Sequence, residues 1–222
     1  MVRQRILSRG VILSPVGKKR IAATPARAKP TGKTAGAAPP PAAPRYVALL
    51  RAVNVGGRVI KMDELRRVFE MLAFKNVQTF IASGNVIFES ALDRSKLEAM
   101  IEHGLQQAFR YPIPTFVRSA EEMAAAAGQS PFAARELEGS GLYVTFHKRE
   151  LSRAEASKVE AMRTKDDDFA VAGREVYWLR RRMAERFGEP FPSFGKALDA
   201  PGTMRSITTV KKLAAKYCGA PA

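Results

Sequence analysis

Short apolar runs and helical stripes follow one another in a repeating order along this chain. Tyr46–Ala52 is an apolar run that ends abruptly at Asn54, Gly56 and Gly57. Val77–Ala82 and Val86–Glu89 are two more, separated by Ser83, Gly84 and Asn85. Runs of about four to eight apolar residues bounded by turn residues read as strands covered on both faces. Between the first two, Met62–Leu72 places Leu65, Val68, Phe69 and Leu72 at helical spacing, with Asp63 near its start to complement the helix dipole. A second helix over Ser95–Phe109 buries Leu97, Met100, Ile101 and Leu105 and leaves His103 off the stripe. Tyr111-Pro-Ile-Pro114 breaks it, and Thr115–Val117 reads as a fourth strand at a sheet edge. The order to this point is βαββαβ.

The box Ser119-Ala-Glu-Glu122 opens a short Ala-rich helix that Gly128 closes, and 129–141 reads as a connector. The order then restarts with strand Leu142–His147 and a helix from the box at Ser152–Glu155 to about Met162. Strands Phe169–Ala172 and Val176–Leu179 flank a turn at Gly173-Arg174, and Tyr177 and Trp178 must face opposite sides. A weakly patterned, partly helical stretch covers Met183–Leu198. An extended Thr203–Arg205 and a helix with Val210, Leu213, Ala214 and Tyr217 on one face complete a second βαββαβ.

In a βαββαβ unit with right-handed crossovers, the first and third strands lie side by side and antiparallel. The end of the first then adjoins the start of the third. Asn54, Gly56 and Gly57 thus neighbour Ser83 and Asn85, with Arg51 and Lys61 within reach. Glycines allow close backbone approach, Ser83, Asn54 and Asn85 offer neutral hydrogen bonds, and backbone amides ahead of the Met62 helix favour an anion. This constellation reads as a pocket for a small anionic or phosphorylated ligand. Gly-Gly and Ser-Gly-Asn are also ordinary turn vocabulary, and that plainer reading stands beside it.

Composition changes the picture at the N-terminus. The chain of 222 residues carries a net charge of +16, but nine of its cations and none of its acids lie in 1–44. That Ala- and Pro-rich segment has too little bulky apolar surface to repay its ordering entropy, so 1–44 is expected to be a disordered basic tail. Weak, nonspecific nucleic-acid contact is expected of it rather than of the folded part. Thr31-Gly32-Lys33-Thr34 imitates a phosphate-binding loop, but Arg27 occupies the position of its first glycine and no strand precedes it. No apolar run approaches the ~20 residues of a helical membrane span. Cys218 is the single cysteine, which excludes a disulfide framework and multi-cysteine metal sites and fits a reducing cytoplasm. No metal or cofactor is expected.

The segments RYVALLRAVNVGG (Arg45–Gly57), MDEL (Met62–Leu65) and TFIASGNVIFES (Thr79–Ser90) resemble the opening motifs of the bacterial domain of unknown function 1697 family. Weaker likeness continues through Ser130-Pro-Phe132, Leu142–Phe146, Gly173–Tyr177 and Thr203–Leu213. The resemblance implies an α+β protein of two ferredoxin-like halves, 45–128 and 142–222, joined by 129–141. It implies no known activity. Where that family shows Thr-Thr-Arg-Asn-Trp, this chain has Thr203, Met204, Arg205, Ser206 and Ile207. Arg205 remains and is a further candidate ligand contact, contributed from the second half.

Catalytic signatures are scarce. No G-x-S-x-G elbow occurs. Asp166-Asp167-Asp168 could hold a hard cation but reads first as a solvated loop, and His147 reads as a strand-end residue. The aromatic signature of the common RNA-binding domains is absent from both halves. The alternatives to the anion pocket are a nucleic-acid-associated protein acting through basic charge and a non-catalytic interaction module.

Overall fold

The structure, a computed structural model, describes residues 43–54, 59–82, 84–182, 198 and 200–219. The expectations for the tail through residue 42, for Gly56, Gly57 and Ser83, and for 183–197 lie outside them.

Four strands form the first sheet: β1 (Arg45–Leu50), β2 (Lys75–Phe80), β3 (Asn85–Glu89) and β4 (Thr115–Ser119). Their spatial order is β2-β3-β1-β4, with every neighbouring pair antiparallel. Helices α1 (Met62–Met71) and α2 (Arg94–Phe109) lie between them in sequence. β1 is an uninterrupted apolar run because both of its faces are covered. Ala48 and Leu50 pack with Leu65 and Phe69 of α1 and Leu97 and Ile101 of α2, while Val47 and Leu49 enter a different cluster. The strand stops at Leu50, two residues earlier than its apolar character suggests, because Ala52 turns into the left-handed region at φ 56°. β2 likewise runs Lys75–Phe80 rather than to Ala82, since Ile81 adopts φ 48°.

β4 is an edge strand, and its outward amides are occupied. Thr115 N–H donates to Glu102, Val117 N–H to Glu98 and Ser119 N–H to Glu122, at 2.8, 2.9 and 2.9 Å. Ser119 and Glu122 form the expected capping box at the start of α3 (Ala120–Gly128). The connector is not wholly irregular: it holds a one-turn helix, α4 (Ala134–Leu137).

The second sheet comprises β5 (Gly141–His147), β6 (Asp167–Ala172), β7 (Glu175–Arg180) and β8 (Gly202–Ser206), again antiparallel and ordered β6-β7-β5-β8. Between β5 and β6, α5 (Arg153–Glu160) starts from the Ser152–Glu155 capping box. After β8, α6 (Ile207–Leu213) is capped by Ser206, whose hydroxyl accepts from Thr209 N–H, and runs into a π-helical turn at Ala214–Cys218. The described residues thus form a mixed α/β fold of two four-stranded antiparallel sheets and six α-helices.

One apolar cluster belongs to both sheets. Val47, Leu49 and Phe116 of the first meet Val144, Phe146 and Tyr177 of the second, together with residues of α3 and α6. Trp178 faces the other way and packs with Val159, Phe169 and Leu198. The acidic triplet is not a solvated loop. Asp166 pairs with Arg182, Asp167 with Arg180 and the Trp178 indole, and Asp168 with Arg163 and Arg181.

Candidate anion site

The end of β1, the β2–β3 turn and the start of β8 meet at one place, and Arg205 joins them. Alternation along β8 buries Thr203 and Arg205 on one face. The Arg205 guanidinium donates to Asn85 Oδ1 at 2.7 Å, to the Leu50 carbonyl at 2.9 Å and to the Gly84 carbonyl at 3.3 Å. It also donates to Thr203 Oγ1 and to the Met204 carbonyl, at 2.9 and 2.8 Å. These five acceptors are neutral and match the five N–H donors of a guanidinium. Burial pushes the Arg205 pKa down to about 10, which still leaves it protonated at neutral pH.

A cleft of about 350 Å³ opens beside it, lined by Leu50–Val53 and Gly202–Arg205. Arg51 is exposed on this lining, and its backbone N–H is fixed on the Pro114 carbonyl at 2.9 Å. Ala52, Asn54 and Ile81 all hold positive φ around this junction. Left-handed backbone at non-glycine residues costs on the order of 1 kcal/mol or more each, and such strain concentrates at functional sites. The cleft also depends on close packing of β8 against β5. A Cβ added to Gly202 would stand 2.7 Å from Thr145 Cγ2 and 2.8 Å from His147 Cε1.

The sequence candidates separate by role. Arg205 and Asn85 bond each other directly, and Arg51 and Arg205 line one cleft. Asn85 is fully buried and also donates to the Phe80 carbonyl, so it orients Arg205 from below the surface. Asn54 serves the loop itself: its amide donates to the Ala82 carbonyl and its carbonyl accepts from Ile60 N–H. Lys61 is exposed at the N-terminal boundary of α1 and is not among the cleft-lining residues. Gly56, Gly57 and Ser83 lie outside the described residues.

Sequence reasoning missed a second buried arginine. Arg118 of β4 is 0% exposed, donates to Glu175 at 2.6 Å and to the His147 carbonyl at 2.7 Å, and lies over the Phe146 ring. Burial lowers its pKa, with Glu175 opposing. The available signal was a lone cation inside the strand Thr115-Phe-Val-Arg-Ser119. His147 ends β5 as expected but is buried, and that burial holds its pKa below 6.5. Burial also pushes the Cys218 thiol up to about 11, the behaviour of an inert cysteine. Among the described residues no cluster of three His, Cys, Asp or Glu side chains could hold a metal ion. None of their helices is long and apolar enough to cross a membrane.

Fold and site together define a class: a protein of two identically ordered antiparallel sheets with an arginine-bearing cleft where their strand ends meet. A family model described as "Protein of unknown function (DUF1697)" matches residues 44–177, more than half of the chain, and the chain belongs to that family. The match includes Arg51, Asn85 and Arg118 and stops short of Arg205. No curated protein matches. The solved structure of a conserved bacterial protein, SP0830, from Streptococcus pneumoniae is similar, with a TM-score of 0.60 and 22% sequence identity. The similarity covers 78% of this chain and 97% of that one, and is a likeness of fold.

Proposed function

We propose that this protein binds a small anionic or phosphorylated ligand in the cleft between the end of β1 and the start of β8. Each half is ferredoxin-like in this reading, which the shared strand order supports. The observation that carries the proposal is that two arginines, the buried Arg205 and the exposed Arg51, line one cleft. Such a wall attracts negative charge where little water screens it. Arg51 supplies the mobile contact, Arg205 the fixed charge, and the backbone at Ala52 and Gly202 the close approach. Lys61 and the loop through Gly56 and Gly57 are proposed as outer contacts, with Ser83 beside Asn85. Recognition of stacked bases on the first sheet is disfavoured, because Val47–Leu50 are buried on both faces.

A thermal-shift panel of inorganic phosphate, nucleotides, phosphosugars and carboxylates tests the proposal, since a ligand of the native state raises apparent stability. The Arg51→Ala protein should melt as wild type does without ligand. It should lose about tenfold or more in affinity for any anion found, the equivalent of ~1.5–3 kcal/mol for a charge-assisted contact. Equal binding by both proteins would remove the site from this cleft.

A further inference from the structure

The cleft between β1 and β8 holds two guanidinium groups, and the bonds around them divide their tasks. All five N–H groups of Arg205 are directed at protein oxygens: Nε at Asn85, Nη1 at Thr203 and Met204, Nη2 at Leu50 and Gly84. Arg205 therefore brings charge to the cleft and has no hydrogen left for a ligand. Arg51 is the converse. Its side chain is exposed, while its backbone N–H is held by the Pro114 carbonyl. Its planar fork can offer two parallel N–H bonds to a phosphate or carboxylate.

The two charges converge. Arg205 Nη2 lies 2.9 Å from the Leu50 carbonyl oxygen, which belongs to the peptide joining Leu50 to Arg51. Among the described residues the lining, Leu50–Val53 and Gly202–Arg205, contains both arginines and no carboxylate. Glu102 approaches from the neighbouring strand, where it accepts the Thr115 N–H opposite Leu50, but it is paired with Lys148. These lining residues thus carry two positive charges around a volume of about 350 Å³.

We infer, on the reading that this cleft binds an anion, that its ligand is a dianionic phosphomonoester, and that carboxylates, phosphodiesters and sulfate esters bind less well. A monoanion can meet the Arg51 fork with the same number of oxygens, so hydrogen bonding there does not separate the two classes. The second charge does. It is attracted by the fixed charge of Arg205, where low dielectric strengthens the interaction. A volume near the lower limit of ligand pockets suits the phosphate ester of a small alcohol or sugar.

Methyl phosphate and methyl sulfate test this directly, since they share shape and terminal oxygens and differ by one charge. At about pH 7.5 the phosphate ester, with a second pKa of about 6, is a dianion, and the sulfate ester is a monoanion. In calorimetric titration of the full chain, methyl phosphate should bind about tenfold tighter than methyl sulfate. In Arg51→Ala both should weaken, and with one of the two cations gone their ratio should shrink to about threefold. A ratio below about twofold in the wild-type chain, with both esters still dependent on Arg51, overturns the dianion inference and leaves the anion cleft standing. Failure of both esters to bind at millimolar concentration, or binding that Arg51→Ala leaves unchanged, removes the cleft reading itself and this inference with it.

Discussion

Arg118 and Arg205 each bring a full charge into a place that water scarcely reaches, but with different company. Arg118 has a carboxylate partner in Glu175, so the pair depends on both members being present. Removing one side of a buried pair typically costs ~3–5 kcal/mol, because the other charge stays behind uncompensated. Arg118→Ala should therefore lower the urea-derived unfolding free energy by about that amount, and a loss below about 1 kcal/mol would mean that the pair is effectively solvated. His147 gives the residue scale a pH test. Its ring is held neutral by burial, so its folded pKa lies below the unfolded value of 6.5. Between those two values the unfolded chain binds a proton that the native chain refuses. The stability from this group is complete above about pH 6.5 and declines as pH falls through the window below it. A His147→Gln protein should consequently show a flatter melting-temperature profile between about pH 7.5 and 5.5 than wild type; parallel profiles would show that the imidazole titrates normally.

At the scale of elements, β4 shows how an exposed edge is closed. Glu98 and Glu102 of α2 accept the Val117 and Thr115 amides that would otherwise be open to another strand. Glu98→Ala should cost ~1–3 kcal/mol in urea, the penalty for a buried donor left without an acceptor. The Glu98→Ala/Glu102→Ala double variant should also scatter more light on storage, as an unprotected edge promotes association. An unchanged midpoint in Glu98→Ala would place the Val117 amide in water. This scale is also where the sequence was most legible. Apolar runs bounded by Gly and Asn located β1, β2 and β3, and parity along β7 put Tyr177 and Trp178 on opposite faces. Strand ends were less legible: nothing in the composition of Leu50–Asn54 or Phe80–Ala82 announces left-handed backbone at Ala52 and Ile81. The α2 glutamates that close the β4 edge were invisible for a different reason. They sit on the polar side of a helix pattern that looks solvated until the fold brings an edge strand against it.

Across the whole molecule, one apolar cluster draws on both sheets, and Arg118 and Arg205 cross between them from opposite directions. The described halves should therefore unfold together. Trp178 is the single tryptophan and reports on the second sheet, so its fluorescence transition in urea should superimpose on the circular-dichroism transition. Separated midpoints would mean that the shared cluster does not couple the sheets. The same long-range geometry explains why only part of the candidate site could be read in advance. Arg51, Asn54 and Asn85 lie near turns that the pattern locates. The bond from Arg205 to Leu50 spans 155 residues, and only the packing of one sheet on the other creates it. Arg205 entered as a candidate through a resemblance of motif, and Thr203, its neighbour on the same face of β8, was not singled out at all.

A backbone-amide NMR titration of the full chain with inorganic phosphate tests the cleft between β1 and β8 most directly. Saturable shifts should concentrate at Arg51–Val53 and at Gly202–Arg205, and should vanish in the Arg51→Ala protein. Shifts spread over exposed lysines without saturation, or unchanged by Arg51→Ala, would contradict the assignment of an anion site to this cleft.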